Sequence, residues 1–349
     1  MPQTDQLSDQ LDRLSAWDPG PFPVVSLYLN LQSNEHGRDQ FDTFLRKEFA
    51  DRLATFPAEG PERESLNRDV EKIRSYVDGV DRAAQGLAVF TCSGADLFEA
   101  ITLAAPVTEH RLSISTEPNL YPLALLADEY PRYAAVVADT NAARIFVFAG
   151  NALQHAEQIK GTKTKRHKMG GWSQARYQRH TENYHLHHAK EVVDTLWRSV
   201  RDEGIQSIIL AGDEVIVPLL KDQMPKDVAE RVVDVVKLEI RATDREVLDT
   251  TLAALREVDA KTDRERVDAL LDAYRSSGLA CVGPERTRKA LELGQVDELV
   301  ISVAGIGDDQ EANAFVLKAR QTSAGVRFIE DGTLLAQVGG VGAFLRFKV

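Results

Sequence analysis

Lys160–His180 reads KGTKTKRHKMGGWSQARYQRH, a run that holds Lys160, Lys163, Lys165, Arg166, Lys168, Arg176 and Arg179 and no acid. The chain around it has a formal net charge of −12. A local field of one sign inside an acidic protein implies an anionic partner met at this one place. Gly170-Gly171 lie at its centre, followed by Trp172, Ser173 and Gln174. Paired glycines let bare main chain approach a ligand closely, because no Cβ stands in the way. The flanks of this run decide the fold. Ahead of it, Tyr133–Ala138 and Arg144–Phe148 read as a hairpin turning at Asp139-Thr140-Asn141. Behind it, a helix from about Gln174 to Asp202 carries Ala189, Val192, Val193, Leu196 and Val200 at helical spacing, and Ile205–Leu210 is a short strand. Hairpin, loop, helix and strand make an α/β unit with a basic loop at its margin.

Outward from that unit the chain repeats the α/β theme. With 349 residues, too many for one core, the chain divides into two or three domains. The N-terminal part holds an amphipathic helix ending near Asp18-Pro19-Gly20-Pro21, a strand over Pro23–Asn30, helices over Phe41–Thr55 and Leu66–Tyr76, and a strand over Gln85–Phe90. Past the middle unit, a strand over Val232–Leu238 precedes two charged helices, one beginning near Asp244 and one over Arg264–Tyr274. Pro284 opens and Gly294 closes a further helix. Strands over Val296–Val303, Val326–Ile329 and Leu334–Val338 finish the last sheet, with a helix over Glu311–Gln321. The expected partition is three consecutive α/β domains, 1–130, 131–242 and 243–349.

Composition narrows the function classes. An apolar fraction of 43% with 28% charged residues is that of a globular protein. The N-terminus shows no basic region followed by an apolar run, and no stretch of about 18 apolar residues occurs, so neither a secretory signal nor a membrane span is expected. Cys92 and Cys281 are too few for a disulfide framework or a thiolate metal site. A cytoplasmic protein without cofactor or metal follows as the expectation. His180, His185, His187 and His188 sit on the helix after the basic run; without a converging acid or thiolate they read as polarity facing a nucleic acid rather than as ligands. Asp139 reads as a turn former rather than a nuclease carboxylate, and Gly339, Gly340 and Gly342 as a turn rather than a phosphate loop.

Four segments, in order along the chain, carry a family resemblance. KRHKMGGWSQARYQRHTENYH (165–185) resembles the glycine-glycine loop and following helix of the archaeal and eukaryotic class-1 peptide release factors, with Arg176-Tyr177 at the family's Arg-aromatic pair. PVVSLYLNL (23–31) is similar to the family's opening strand, GPERTRKALELGQVDELVI (283–301) to the start of its third domain, and VGGVGAFLRF (338–347) to its C-terminal end. Two departures stand out. The family's glutamine directly follows the second glycine, where this chain has Trp172, and Gln174 trails by two places as in the ribosome-quality-control peptidyl-tRNA hydrolases. The Asn-Ile-Lys-Ser stop-codon reader is missing; the corresponding stretch, Thr55–Asn67, is rich in Pro and Glu. The compact last domain is more similar to the Pelota-type rescue factors.

The resemblance implies a middle domain of ribonuclease-H-like fold that projects the loop, and a factor that enters the ribosomal A site and hydrolyses peptidyl-tRNA. Gly170, Gly171 and Gln174 are the implied catalytic residues. Lys163, Lys165, Arg166, Lys168, Trp172, Arg176 and Arg179 are the implied contacts to RNA. The implied partners are ribosomal RNA, peptidyl-tRNA and a translational GTPase. Two other readings stay open: a non-catalytic factor that occupies the A site of idle or stalled ribosomes, and a plain solvated surface with Gly170–Ser173 as a tight turn.

Overall fold

The computed structural model describes residues 3–18, 20–32, 41–81, 84–103, 105–149, 152–160 and 173–348. Three sheets organise them. Two compact units result, one of residues 130–262 with the first six residues, the other of 7–129 with 263–349.

The first sheet is antiparallel. Helix α1 (Gln3–Ala16) precedes strand β1 (Val24–Asn30), then come α2 (Phe41–Leu53), α3 (Pro61–Val77), β2 (Gly86–Cys92), β3 (Leu97–Leu103), β4 (Arg111–Ser115) and α4 (Tyr121–Glu129). The strand order is β3-β2-β1-β4, with Leu27 opposite Val89 on one side and Leu112 on the other. Period-2 alternation makes β1 serve two cores. Val25, Leu27 and Leu29 pack with Phe49, Leu66 and Ile73. Tyr28, on the opposite face, joins Leu11, Phe90 and Leu123.

The middle sheet is mixed. Strands β5 (Tyr133–Ala138), β6 (Ala142–Ala149) and β7 (Ala152–Lys160) form an antiparallel meander. The 31-residue α5 (Ser173–Glu203) then returns the chain to β8 (Ser207–Gly212), parallel to β5. Helices α6 (Ile216–Gln223) and α7 (Lys226–Ala229) lead to β9 (Val232–Val236), giving the order β7-β6-β5-β8-β9. Every residue of β5 is buried: Ala134 and Val136 face the stripe of α5, while Tyr133, Ala135 and Val137 face a second core with Val247 and Leu255. A strand covered on both faces reads as an unbroken apolar run, and YAAVVA does.

Those two last residues come from α8 (Asp244–Arg275), a single 32-residue helix where two were expected. No glycine or proline interrupts 244–275, so the polar middle, Asp259-Ala-Lys-Thr-Asp263, propagates the helix instead of breaking it. The last sheet comprises β10 (Ala280–Val282), β11 (Val296–Ser302), β12 (Gly325–Ile329) and β13 (Val341–Leu345), flanked by α9 (Pro284–Glu292) and α10 (Asp309–Gln321). Its order is β10-β13-β11-β12. The expected strand at Leu334–Val338 is instead a short 3-10 turn, and β13 is the final strand. Gly339 and Gly340 both take φ of 77°, which reverses the chain into β13, and a Cβ on Gly340 would lie 2.6 Å from the Gly305 backbone.

The first and last sheets share one core. Leu11, Tyr28 and Phe90 belong to the same buried cluster as Leu299, Phe315 and Phe328. Asn313 on α10 reinforces it: its Oδ1 accepts from the N–H of Leu120 (2.7 Å) and Tyr121 (3.2 Å), and its Nδ2 donates to the Pro118 carbonyl (3.1 Å). The Tyr28 hydroxyl donates to Asn119 O at 2.6 Å, and burial raises its pKa far above that of a free phenol.

Candidate functional site

Two defined elements flank the basic run in sequence. Lys160, the last residue of β7, is paired with Ala142, beside the turn that joins β5 to β6. Strand β5 ends at that same turn, so the chain leaves the sheet at the carboxyl ends of β5 and β8 and re-enters at Ser173 as α5. In open α/β sheets this edge is where ligands sit. Gly170, Gly171, Trp172, Lys163, Lys165, Arg166 and Lys168 lie outside the described residues. Gln174, Arg176 and Arg179 fall in the first two turns of α5 as helical backbone, and their side chains are likewise outside the description. The first turn of α5 carries no acid. The positive end of its dipole, worth about half a unit charge, therefore adds to the basic run rather than being cancelled.

Both flanking elements are firmly built. The inner stripe of α5 is the expected one, with Ala189, Val192, Leu196 and Val200 packed on Val136, Ile145, Ile208 and Leu210. At the far end, buried Arg132 pairs with Glu203, whose Oε1 also lies 3.2 Å from Nε2 of His155 on β7. The histidines divide: His187 is exposed, His185 half-buried, and His188 buried, with neither ring nitrogen hydrogen-bonded among the described residues. The Tyr184 hydroxyl, one turn earlier, is also buried without a partner among the described residues. Burial raises the Tyr184 phenol pKa, and the carboxylates of Glu191 and Asp139 add to it. Residue pattern hides these groups, because a histidine inside an apolar stripe looks like any polar residue on a helix. Among the described residues no group of three His, Cys, Asp or Glu side chains could hold a metal ion, and no helix is long and apolar enough to cross a membrane.

Asp139 behaves as a turn former, its Oδ1 accepting from the N–H of Asn141 (2.7 Å) and Ala142 (2.8 Å). Asp213, at the end of β8, starts α6 in the same way, accepting from Val215 (2.9 Å) and Ile216 (2.8 Å). Between them opens a cleft of about 610 Å³ whose far wall is Lys237–Arg241. Gly212 is required there, since a Cβ would stand 2.5 Å from the Ala138 carbonyl oxygen. The expected strand at Val232–Leu238 stops at Val236, and the residues beyond form that wall, with Leu238 and Ile240 turned into the core.

Residues 118–256 match the model of bacterial archaeo-eukaryotic release factor family 10. The chain is 22% identical to peptide chain release factor subunit 1 of Aeropyrum pernix, over 99% of this chain and 95% of the relative. It is 26% identical to the Methanopyrus kandleri protein of the same name, over 58% of this chain and 51% of that one, so it spans about half of this second relative. Among solved structures it aligns with the archaeal translation termination factor aRF1 (17% identity, 99% of this chain and 98% of that one, TM-score 0.30). It also aligns with Dom34 of S. cerevisiae (14% identity, 76% and 80%, TM-score 0.46). The family model covers the basic run together with both of its flanking elements, and the Aeropyrum relative aligns along nearly the whole of both chains; the chain is similar in sequence to the archaeal peptide chain release factors.

Proposed function

We propose that this protein is a translation factor of the cytoplasm that enters the ribosomal A site and hydrolyses peptidyl-tRNA in rescue or quality control. The observation that carries the reading is the acid-free run of Lys160–His180 in a chain of net charge −12, leaving the carboxyl edge of the middle sheet inside the span that the release-factor family model matches. Lys163, Lys165, Arg166, Lys168, Arg176 and Arg179 then meet ribosomal RNA phosphates, and Trp172 stacks on a base, worth roughly 1–3 kcal/mol.

The chemistry asked of the loop is ester hydrolysis. Water attacks the acyl carbon, the carbon–oxygen bond to the tRNA 3′ oxygen breaks, and that oxygen leaves with a proton. A glutamine amide does not titrate near neutral pH, so Gln174 orients the water and donates hydrogen bonds, while Gly170 and Gly171 bring main-chain N–H groups close to the developing oxyanion. No cofactor enters this scheme. Of the segments 1–130, 131–242 and 243–349, the middle one carries the loop, and a translational GTPase is the candidate delivery partner.

Trp172 favours a second reading. It occupies the position where the resembled family has its glutamine, and a factor that merely fills the A site of idle ribosomes has no use for that amide. One assay separates the two: ribosome–peptidyl-tRNA complexes incubated with the wild type and with Gln174→Ala. The hydrolytic reading expects release by the wild type and a loss of about 100-fold in the variant, with ribosome binding unchanged. Normal binding by both proteins with the ester intact establishes the occupancy reading instead. In either case ribosome binding weakens steeply with salt.

A further inference from the structure

We propose that the outer edge of β4 is a docking groove for an extended, cation-bearing peptide of a partner protein, which adds a fifth strand to the first sheet. This goes beyond the ribosomal reading and concerns the other compact unit.

Among the described residues β4 hydrogen-bonds only to β1, so alternate residues of Arg111–Ser115 present main-chain N–H and C=O groups outward. The register shows what flanks that edge. Leu112 and Ile114 stand opposite Leu27 and Val25, on the face covered by α2 and α3. Arg111 and Ser113 stand opposite Tyr28 and Ser26, on the other face, where Arg111 pairs with Asp309 at the start of α10. One helix therefore rises on each side of the strand, and the edge is the floor between them. A cavity of about 550 Å³ occupies this space, walled by Phe44, Glu48 and Arg52 of α2 and by Asp309, Gln310 and Asn313 of α10. The Oγ of Ser113, on the floor, is buried without a partner among the described residues.

Edge strands that must stay unpaired are blunted by lysine, proline or a bulge. Residues 112–115 have no lysine or proline, and the pairing of β4 with β1 runs without a shift. Main-chain pairing to such an edge supplies affinity, and the flanking side chains select the ligand.

Charge selects the occupant. The lining carries four acids (Glu48, Glu109, Glu117, Asp309) and two arginines (Arg52, Arg111), a balance of 2 − 4 = −2. Both arginines are spent, Arg52 on Glu48 at 3.6 Å and Arg111 on Asp309. Glu109 and Glu117 are left without an ion-pair partner among the described residues, one beyond each end of β4. They stand eight positions apart, up to about 27 Å of extended chain. His110 adds no cation: burial lowers its pKa, and its Nδ1 accepts the Asn30 N–H at 3.1 Å. A floor of main-chain donors and acceptors with a carboxylate at each end fits a strand with lysine or arginine near both ends, and repels a phosphate backbone.

The test is fluorescence anisotropy on the full chain with a labelled probe, Lys-Thr-Val-Thr-Val-Thr-Val-Thr-Lys. Three comparisons go with it: the same peptide with glutamate at both ends, the peptide N-methylated at alternate residues, and a ribo-oligonucleotide of equal length. The Lys-ended peptide is expected to bind saturably and to slow amide exchange across Arg111–Ser115. Binding should fall at least about tenfold for the Glu-ended and N-methylated peptides, and for the exposed double variant Glu109→Lys/Glu117→Lys. Absence of saturable binding, equal binding by the Glu-ended or N-methylated peptide, or displacement of the probe by RNA overturns the proposal.

Discussion

Strands β1 and β5 are built alike and used differently. Each alternates its side chains between two cores, but both cores of β5 are drawn from residues 133–255, whereas the core on the Tyr28 face of β1 reaches to Ala343. The middle unit is thus assembled from near neighbours and presents its basic run at a sheet edge. The other unit closes only when chain ends some 200 to 300 residues apart meet, as Asn313 does with Leu120 and Phe315 with the cluster of Tyr28. Closing a long loop costs only slightly more entropy than closing a short one, so distance in sequence is no bar to this. Its consequence is cooperativity: damage on α10 should be felt in β1.

Phe315→Ala breaks the comparison most directly. Phe315 is 2% exposed, and truncating a buried phenylalanine costs about 3–5 kcal/mol. Hydrogen exchange should speed up in β1, β2 and α4 as much as in β11 and β13, with β5, β6 and β8 unchanged. Faster exchange confined to 280–345 would show that the two ends do not share a core in solution.

The middle unit has its own probe in alkali. Tyr133 is buried against Phe148, and its hydroxyl lies 2.9 Å from Thr251 Oγ1, which itself donates to the Val247 carbonyl. Burial pushes the phenol up to about 12, with the Thr251 hydrogen bond opposing and the Asp249 charge adding. Since the folded pKa exceeds the unfolded value near 10, the unfolded chain ionises first. Stability is then full below about pH 10 and falls by roughly 2–3 kcal/mol on the way to pH 12. Tyr133→Phe should cost about 1 kcal/mol at pH 7 and flatten that fall. Denaturant titrations across pH 8–12 on both proteins, read by exchange in β5, check it; parallel pH profiles would place the hydroxyl in water.

Pattern carried the reading where burial is one-sided or complete. The α5 stripe and the YAAVVA run of β5 were legible because their periods are 3.6 and continuous. Strand β7 was not: ALQHAEQIK is an edge strand, exposed along most of its length, and shows no apolar face. RLSIS in β4 does alternate, but its place at an edge depends on what pairs with β1, which no local pattern encodes. The shared core was equally out of reach, since nothing in TRKALE or NAFVLK says which distant strand they cover. For the basic run the charge imbalance and the start of the helix behind it were visible, and the strand that ends at Lys160 was not. The spring point at the carboxyl edge of the sheet emerges only from the register of β7 with β6.

The smallest effect is the sharpest test of how local the middle unit is. Helix α8 feeds Val247, Ala254 and Leu255 to the core under β5, and Val267 and Leu270 to that of the last sheet. Its start is a capping box: Thr243 Oγ1 accepts the Glu246 N–H at 3.2 Å, and Glu246 Oε2 accepts the Thr243 N–H at 2.7 Å and its hydroxyl at 2.9 Å. Those bonds hold the Glu246 carboxyl below the usual range. Thr243→Ala removes the cap hydroxyl and costs about 0.5–2 kcal/mol. If the first turn matters only through Val247, which is fully buried, faster exchange should stop at the β5 core and leave Val267–Leu270 protected. A helix of 32 residues without glycine or proline could instead fray along its whole length, and exchange rising equally at both ends would show that α8 ties the two cores into one cooperative transition.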